Sequence, residues 1–114
     1  MFEVCSKESM NELTDITEKL IDAIYRKEDK SLVIHTLENE CGNNLPFCNG
    51  WTSKQLERIR FAVIKFSEGQ LDRFHYAVKL ANTDWRDLLV EVGFADDIDY
   101  HNEWSNKMLE IYKI

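Results

Sequence analysis

The chain of 114 residues is short of residues that interrupt or crosslink a fold, with one proline, four glycines and three cysteines. Cys5, Cys41 and Cys48 are an odd number without a CxxC pair, which excludes a regular disulfide framework and favours a reducing compartment. The longest apolar run, Phe61 to Ile64, is far below the roughly 20 residues that cross a bilayer. The first nine residues lack the basic and apolar regions of a signal peptide. We therefore expect a cytoplasmic protein without membrane contact.

Apolar residues recur at steps of three and four along almost the whole chain, which is the spacing of amphipathic helices. With few helix breakers and no strand-like alternation, this pattern predicts an all-α protein. We expect a single helical domain over residues 1–114, with residues 1–8 as a loose N-terminal segment, because domains of roughly 100 to 150 residues are common. The predicted architecture is a compact bundle of about six short helices.

Capping residues predict where the helices begin. Ser9 with Glu12 and Thr52 with Gln55 have the spacing of capping boxes, and Thr83 is a further candidate N-cap. The predicted helices cover about residues 9–28, 31–42, 52–68, 71–82, 83–93 and 96–114.

Glycines and one loop predict where several helices end. Gly42, Gly69 and Gly93 follow apolar stripes, as is typical of helix C-termini. Residues 43–50 combine asparagines, the proline and an Asn-Gly pair, and these features predict a surface loop.

Charge is unevenly distributed along the chain. Residues 1–50 carry 5 basic and 10 acidic groups, residues 51–83 carry 6 and 3, and residues 84–114 carry 3 and 8. We expect the last segment to present two acidic helix faces whose carboxylates lack internal counter-ions. Its candidate partner-binding carboxylates are Asp84, Asp87, Glu91, Asp96, Asp97, Asp99 and Glu103.

Such an acidic surface attracts a positively charged partner and speeds its association. It argues against direct binding of nucleic acid, because phosphate-binding proteins use clustered Lys and Arg. The alternative is that each acidic face is only the solvated side of a helix. The basic third helix, with Lys54, Arg58 and Lys65 around Phe61, would either dock against the protein's own acidic helices or serve a nucleic-acid single strand.

Two aromatic residues lie off the main apolar stripes of their helices. Tyr76 is opposite the stripe of Leu71, Phe74 and Val78, and Phe61 departs similarly from the stripe of the third helix. Either these helices are buried on two sides, or the two side chains form an exposed apolar patch. Because aromatic residues beside charged groups are typical of binding hot spots, Tyr76 and Phe61 are further candidate partner-binding residues.

The last helix is predicted to face the core with Ile98, His101, Trp104, Met108 and Ile111. In this stripe His101 is more typical of a core histidine than of a metal ligand or proton acceptor. The His and Cys residues do not have zinc-site spacing, and the sequence contains no Gly-rich phosphate loop and no nucleophile elbow. We therefore expect no catalytic residues, no metal and no cofactor.

The small size, acidic charge, helical layout and lack of catalytic motifs resemble the small bacterial immunity proteins that neutralise secreted or contact-delivered toxins, as in contact-dependent growth inhibition. The stretch from Thr83 to Leu89, followed by Trp104, is similar to a motif of uncharacterised bacterial helical proteins. The resemblance implies a non-catalytic protein that binds a toxin domain, often a basic nuclease, by presenting carboxylates where the toxin expects phosphates. Because the class has no defined motif, the resemblance assigns no role to a particular residue.

Our leading hypothesis is therefore an inhibitor that acts by steric occlusion and acidic charge mimicry. Two other functions stay open. One is a metal-dependent phosphohydrolase with helix-borne carboxylate pairs, for which Glu12 with Asp15 and Asp84 with Asp87 have the closest spacing. The other is a regulatory protein that associates with itself.

Overall fold

A computed structural model of the chain describes residues 13–42, 45 and 52–113. This part is helical and contains no β-strand, which confirms the predicted all-α class. Its radius of gyration is 13.3 Å, in the range of a compact domain of this length. Within the described residues, the five α-helices are α1 (Asp15–Ile24), α2 (Lys30–Glu40), α3 (Ser53–Ser67), α4 (Leu71–Val92) and α5 (Tyr100–Tyr112), and a 3₁₀ turn (Lys27–Asp29) precedes α2.

The first helix is shorter than predicted. α1 begins after Thr14, whose hydroxyl accepts the amide proton of Thr17 at 3.3 Å, and it ends at Ile24 rather than near residue 28. The predicted segments that lie outside the described residues are the loose segment 1–8, the capping box at residues 9–12 and, Leu45 apart, the loop 43–50.

α3 is the central helix and begins with the capping box that the sequence predicts. The Thr52 hydroxyl accepts the amide proton of Gln55 at 3.3 Å, and Gln55 Oε1 accepts the amide proton of Thr52 at 2.8 Å. Every residue from Ile59 to Ile64 is buried, so the helix is enclosed on all sides rather than along one stripe. α1, α4 and α5 all pack against it.

Phe61 is therefore a core residue, and its prediction as a partner-binding anchor is wrong. Its side chain is 0% exposed, and its ring centroid lies 5.5 Å from that of His101 and 5.9 Å from that of Trp104. The reason is that α5 covers a second face of α3, beside the face that carries Ile59 and Val63. Of the two arrangements left open by the sequence, burial of this helix on two sides is the one observed.

The predicted fourth and fifth helices form one element, α4, which is kinked where the sequence predicts a break. Asp84 has φ −155° and ψ 82°, outside the helical region, and its Oδ1 accepts the amide proton of Asp87 at 3.2 Å. Asp84 therefore caps the second half of α4. Thr83, the predicted cap, instead donates its hydroxyl to the carbonyl of Lys79 at 2.8 Å.

Replacement of Asp84 by Ala removes this cap. We expect the free energy of unfolding to fall by about 1 kcal/mol, because N-cap replacements typically cost about 0.5 to 2 kcal/mol. Urea denaturation measures the change, and Thr83→Ala, which leaves the cap in place, is the control. Equal losses in the two variants would contradict the assignment of Asp84 as the cap.

Two glycines with positive φ shape the ends of α3 and α4. Gly69 has φ 82°, and a Cβ atom placed there would lie 2.6 Å from the carbonyl oxygen of Ile24, so the turn after α3 packs directly against the end of α1. Gly93 has φ 83° and ends α4, as predicted, because glycine adopts this left-handed conformation without a Cβ clash. The chain then turns through residues 93–99 into α5.

Candidate functional site

The seven carboxylates predicted as partner-binding residues are all exposed. They occupy three consecutive parts of the structure, which are the second half of α4, the turn of residues 93–99 and the first turn of α5. In that order they are Asp84, Asp87 and Glu91, then Asp96, Asp97 and Asp99, and finally Glu103.

Three of these carboxylates already have a partner inside the protein. Asp84 caps the second half of α4, and Asp97 Oδ1 accepts the amide proton of Asp99 at 2.7 Å. Asp99 Oδ1 forms an ion pair with Lys54 Nζ at 3.0 Å, and both side chains are more than half exposed. The expectation that the carboxylates lack internal counter-ions is therefore wrong for Asp99.

The other four carboxylates, Asp87, Glu91, Asp96 and Glu103, form what we call the acidic surface. Among residues 13–42, 45 and 52–113, no nitrogen of a Lys, Arg or His side chain lies within 4.0 Å of these carboxylates. Lys107 follows Glu103 by one helical turn but forms no ion pair with it. The negative charge of this surface is therefore not neutralised by the described part of the chain.

Exposed apolar side chains lie beside the acidic surface in the sequence. Val90 is 62% exposed on α4, Ile98 is 61% exposed in the turn, and Tyr100 is 39% exposed at the start of α5. Ile111 on α5 is also exposed. The predictions that Ile98 and Ile111 face the core are therefore wrong. The acidic surface thus has apolar neighbours on each of its three parts.

The basic residues of α3 hold the turn of residues 93–99 in place. Lys65 Nζ donates to the carbonyl of Val92 at 2.7 Å, and an Arg58 Nη donates to the carbonyl of Phe94 at 2.6 Å. Cations are favourable at a helix C-terminus, where carbonyl groups lack intrahelical partners. With Lys54 paired to Asp99, this basic face docks within the protein, which is the first of the two predicted alternatives.

Tyr76 is exposed, as its prediction as a partner-binding residue requires, but it lies apart from the acidic surface in the chain. It belongs to the first half of α4, before the kink, and is 58% exposed. Its ring stacks on Phe66 of α3, with centroids 5.5 Å apart and an interplanar angle of 25°. Arg73 covers Phe66 at 4.8 Å. Tyr76 therefore packs with α3, and no contact among the described residues joins it to the acidic surface.

Two grooves that the sequence did not predict flank the half-buried side chain of Trp104. One, of about 300 Å³, is also lined by Lys65, Gly93, Phe94, Tyr100, Glu103 and Lys107. The other, of about 340 Å³, is lined by Trp104 with Ile24, Ile64, Lys65, Glu68, Met108 and Tyr112. Because Glu103 and Tyr100 line the first groove, it opens directly beside the acidic surface.

The described residues do not bring together the side chains of a metal site. Among them, no group of three or more His, Cys, Asp and Glu residues converges. Cys41 is buried, and burial raises the pKa of its thiol to about 12, while His35 is exposed and lies 3.3 Å from the side-chain amide of Asn39. Glu12, one of the carboxylates of the phosphohydrolase hypothesis, lies outside the described residues.

Sequence reasoning also missed Glu57, which lies at the junction of three helices. Its Oε2 accepts a hydrogen bond from the Thr14 hydroxyl at 2.6 Å, and its Oε1 lies 3.9 Å from His101 Nε2. These partners are 43 and 44 positions away in the chain, so no local pattern could have paired them.

Comparison with known proteins found no matching family, curated protein or solved structure. No described helix is long and apolar enough to cross a membrane. The functional argument therefore depends on the geometry and charge of the site.

Proposed function

We propose that the acidic surface binds a basic protein, and that the chain is a non-catalytic inhibitor of the immunity type whose target is a basic toxin domain such as a nuclease. The observation that carries the proposal is the exposure of Asp87, Glu91, Asp96 and Glu103 without a cation from the described residues. A negative field of this kind attracts a positively charged partner and raises the rate of association.

Apolar contacts supply the part of the affinity that exposed charges do not. Interface energy is concentrated in aromatic and apolar anchors that fill pockets, and rim charges act mainly on association. Tyr100 and the groove beside Trp104 provide such an anchor and such a pocket next to Glu103. We therefore place the centre of the interface at the start of α5, with the carboxylates of α4 and the turn around it.

The chain exposes enough area for a stable complex. An interface of standard size buries about 800 Å² on each partner, a small share of the 6836 Å² that this chain exposes. Carboxylates held on α4, the turn and α5 can bind cationic groups of the target that otherwise bind the phosphates of a nucleic acid. The proposed mechanism is thus steric occlusion of the target's binding site combined with mimicry of phosphate charge.

The test begins with capture of a partner from a lysate of the source organism at low salt, followed by its identification and purification. Isothermal titration calorimetry then compares three forms of this chain with that purified partner. They are the wild type, a surface variant (Asp87→Asn, Glu91→Gln, Glu103→Gln) and a control variant (Asp15→Asn, Glu18→Gln, Asp72→Asn). Both variants change the formal net charge from −7 to −4, so a difference between them cannot come from net charge.

We expect the partner to be basic, to bind the surface variant at least about tenfold more weakly, and to bind the control variant as it binds the wild type. An acidic partner, or equal affinities for the two variants, would contradict the proposal. Recovery of a second copy of this chain alone, with a dimeric mass in light scattering, would favour the self-associating regulatory protein instead.

A further inference from the structure

His101 is a fully buried imidazole. Its side chain is 0% exposed, and among the described residues neither Nδ1 nor Nε2 forms a hydrogen bond of good geometry. The rings of Phe61 and Phe94 pack against it, with centroids 5.5 Å and 6.3 Å from that of the imidazole. Because burial among apolar rings costs a charged, protonated imidazole more than a neutral one, the pocket favours the neutral form.

The nearest anion is already engaged elsewhere. Glu57 of α3 places Oε1 at 3.9 Å from His101 Nε2, which is too long for a hydrogen bond. Its Oε2 accepts the short hydrogen bond from Thr14, the residue that caps α1. The hydrogen bond from Thr14 thus holds Glu57 on the side of α1, with its other oxygen 3.9 Å from the imidazole.

The charged groups that face the imidazole within the described residues all belong to α3. Glu57 favours the protonated form, whereas Arg58 and Lys54 oppose it. The turn between α4 and α5 contributes the uncharged ring of Phe94 and the backbone of Ile98, which favours the protonated form as Glu57 does. A proton on His101 would thus sit in an apolar pocket with one anion at 3.9 Å, the Ile98 backbone and two opposing cations.

Burial is the main cause of a lowered pKa of His101 in the folded protein, and Arg58 and Lys54 act in the same direction, against Glu57 and the Ile98 backbone. In the unfolded chain this imidazole titrates near pH 6.5, so it takes up its proton at a higher pH than in the folded state. The stability that His101 contributes is therefore complete above about pH 6.5 and is lost as the pH falls from there towards the folded-state pKa.

The effect of this proton falls on α5 because α5 is weakly anchored. Its buried residues are His101 and Ser105, whereas α3 buries eight residues. Helices with few buried contacts open at the lowest free energy, without unfolding of the rest of the protein. Trp104, Met108 and Leu109 add only partly buried contacts with the core, so His101 is one of the two fully buried side chains by which α5 packs on the protein.

We propose that His101 is an acid-sensitive lock on α5: when the imidazole takes up a proton, α5 and the turn of residues 93–99 detach from α3. Above about pH 6.5 the neutral ring fills the space between Phe61, Phe94 and Trp104. Below this pH the charged ring is more stable in water than in the pocket, so the open form gains population. The acidic surface has Asp96 in this turn and Glu103 on α5, whereas Asp87 and Glu91 stay on α4, so its fixed arrangement is lost at the same time.

The release of a bound partner on acidification rests on the proposed function, since it requires that the acidic surface be the binding site. The detachment of α5 does not, because it concerns the isolated chain alone. The two claims can therefore fail separately. A pH effect without a basic partner would leave the lock in place and remove only its role in binding.

The lock is tested on the full chain without a partner. NMR follows the His101 imidazole signal from pH 8 to pH 5. Urea denaturation over the same range gives the unfolding equilibrium constant for the wild type and for His101→Phe, which fills the pocket with an uncharged ring. We expect the His101 signal of the folded protein to titrate below the value of about 6.5 of an unfolded chain, and the α5 amides to lose protection from hydrogen exchange as it does.

We also expect the unfolding constant of the wild type to rise by up to about tenfold per pH unit below pH 6.5, the limit for one extra proton bound by the unfolded state. His101→Phe should lack this additional slope. Glu57→Gln removes the one favourable charge and should extend the loss to lower pH. Parallel pH curves for the wild type and His101→Phe, or titration of His101 in the folded protein at or above about pH 6.5, would overturn the proposal. The NMR titration of the wild type decides the question even if a variant does not fold.

Discussion

Replacement of Phe61 by Ala is expected to lower the free energy of unfolding by about 3 to 5 kcal/mol, the usual cost of removing a buried aromatic ring. The ring is fully buried at the centre of the protein, between α3 and α5, in contact with Trp104 and His101. Its loss removes apolar burial and leaves a cavity that the helices cannot fully close. Since domains are stable by only about 5 to 15 kcal/mol, the variant should lose a large part of its stability.

Tyr76→Ala is the matched control, because Tyr76 is the other aromatic residue that the sequence singles out. Its ring is 58% exposed and loses only a stacked contact with Phe66, so we expect a change of at most about 1 kcal/mol. Urea denaturation followed by circular dichroism measures both variants. A loss in Phe61→Ala no larger than that in Tyr76→Ala would show that Phe61 is not in the core.

The helical class and several helix ends could be predicted because their signals are local. The Thr52 and Gln55 capping box lies within four residues, and Gly93 supplies the left-handed conformation at the end of α4. The break near Asn82 and Thr83 was predicted at the right place. The residue that caps the second half of α4 is Asp84 and not Thr83, because the Asp84 side chain reaches the Asp87 amide. Which of the two neighbours does so depends on the backbone angles at the kink, which the sequence pattern does not encode.

The surroundings of α3 could not be predicted in the same way. The apolar pattern leaves open whether this helix is buried on two sides or exposes Phe61, whereas the run from Phe61 to Ile64 is buried throughout because several helices cover it. Four consecutive apolar residues in a helix are a signal of such enclosure. This signal favours a core position for Phe61.

The charge of the candidate site was partly predictable. Composition correctly located exposed carboxylates on α4, the turn and α5, but pairing between distant residues depends on the fold. Lys54 and Asp99 are 45 positions apart in the sequence, and their ion pair removes Asp99 from the carboxylates without a counter-ion. The contacts of Glu57 with Thr14 and His101 are likewise consequences of tertiary structure.

The surface variant is expected to associate with the purified basic partner about tenfold to a hundredfold more slowly than the wild type at low ionic strength. Electrostatic attraction raises association rates by about 10- to 1000-fold, and the variant removes three of the four carboxylates of the acidic surface. The dissociation rate should change less, because exposed rim charges act mainly on encounter. The difference in association rate between the surface variant and the wild type should shrink in about 1 M salt, where the Debye length falls to about 3 Å.

The most direct measurement is therefore a stopped-flow comparison of the association rates of the wild type, the surface variant and the control variant at low and at high salt. At low salt we expect the surface variant to associate slowly and the control variant to match the wild type, although the control variant has the same net charge as the surface variant. At high salt we expect the three association rates to converge. Equal association rates of the surface and control variants at low salt would contradict the assignment of the acidic surface as the binding site.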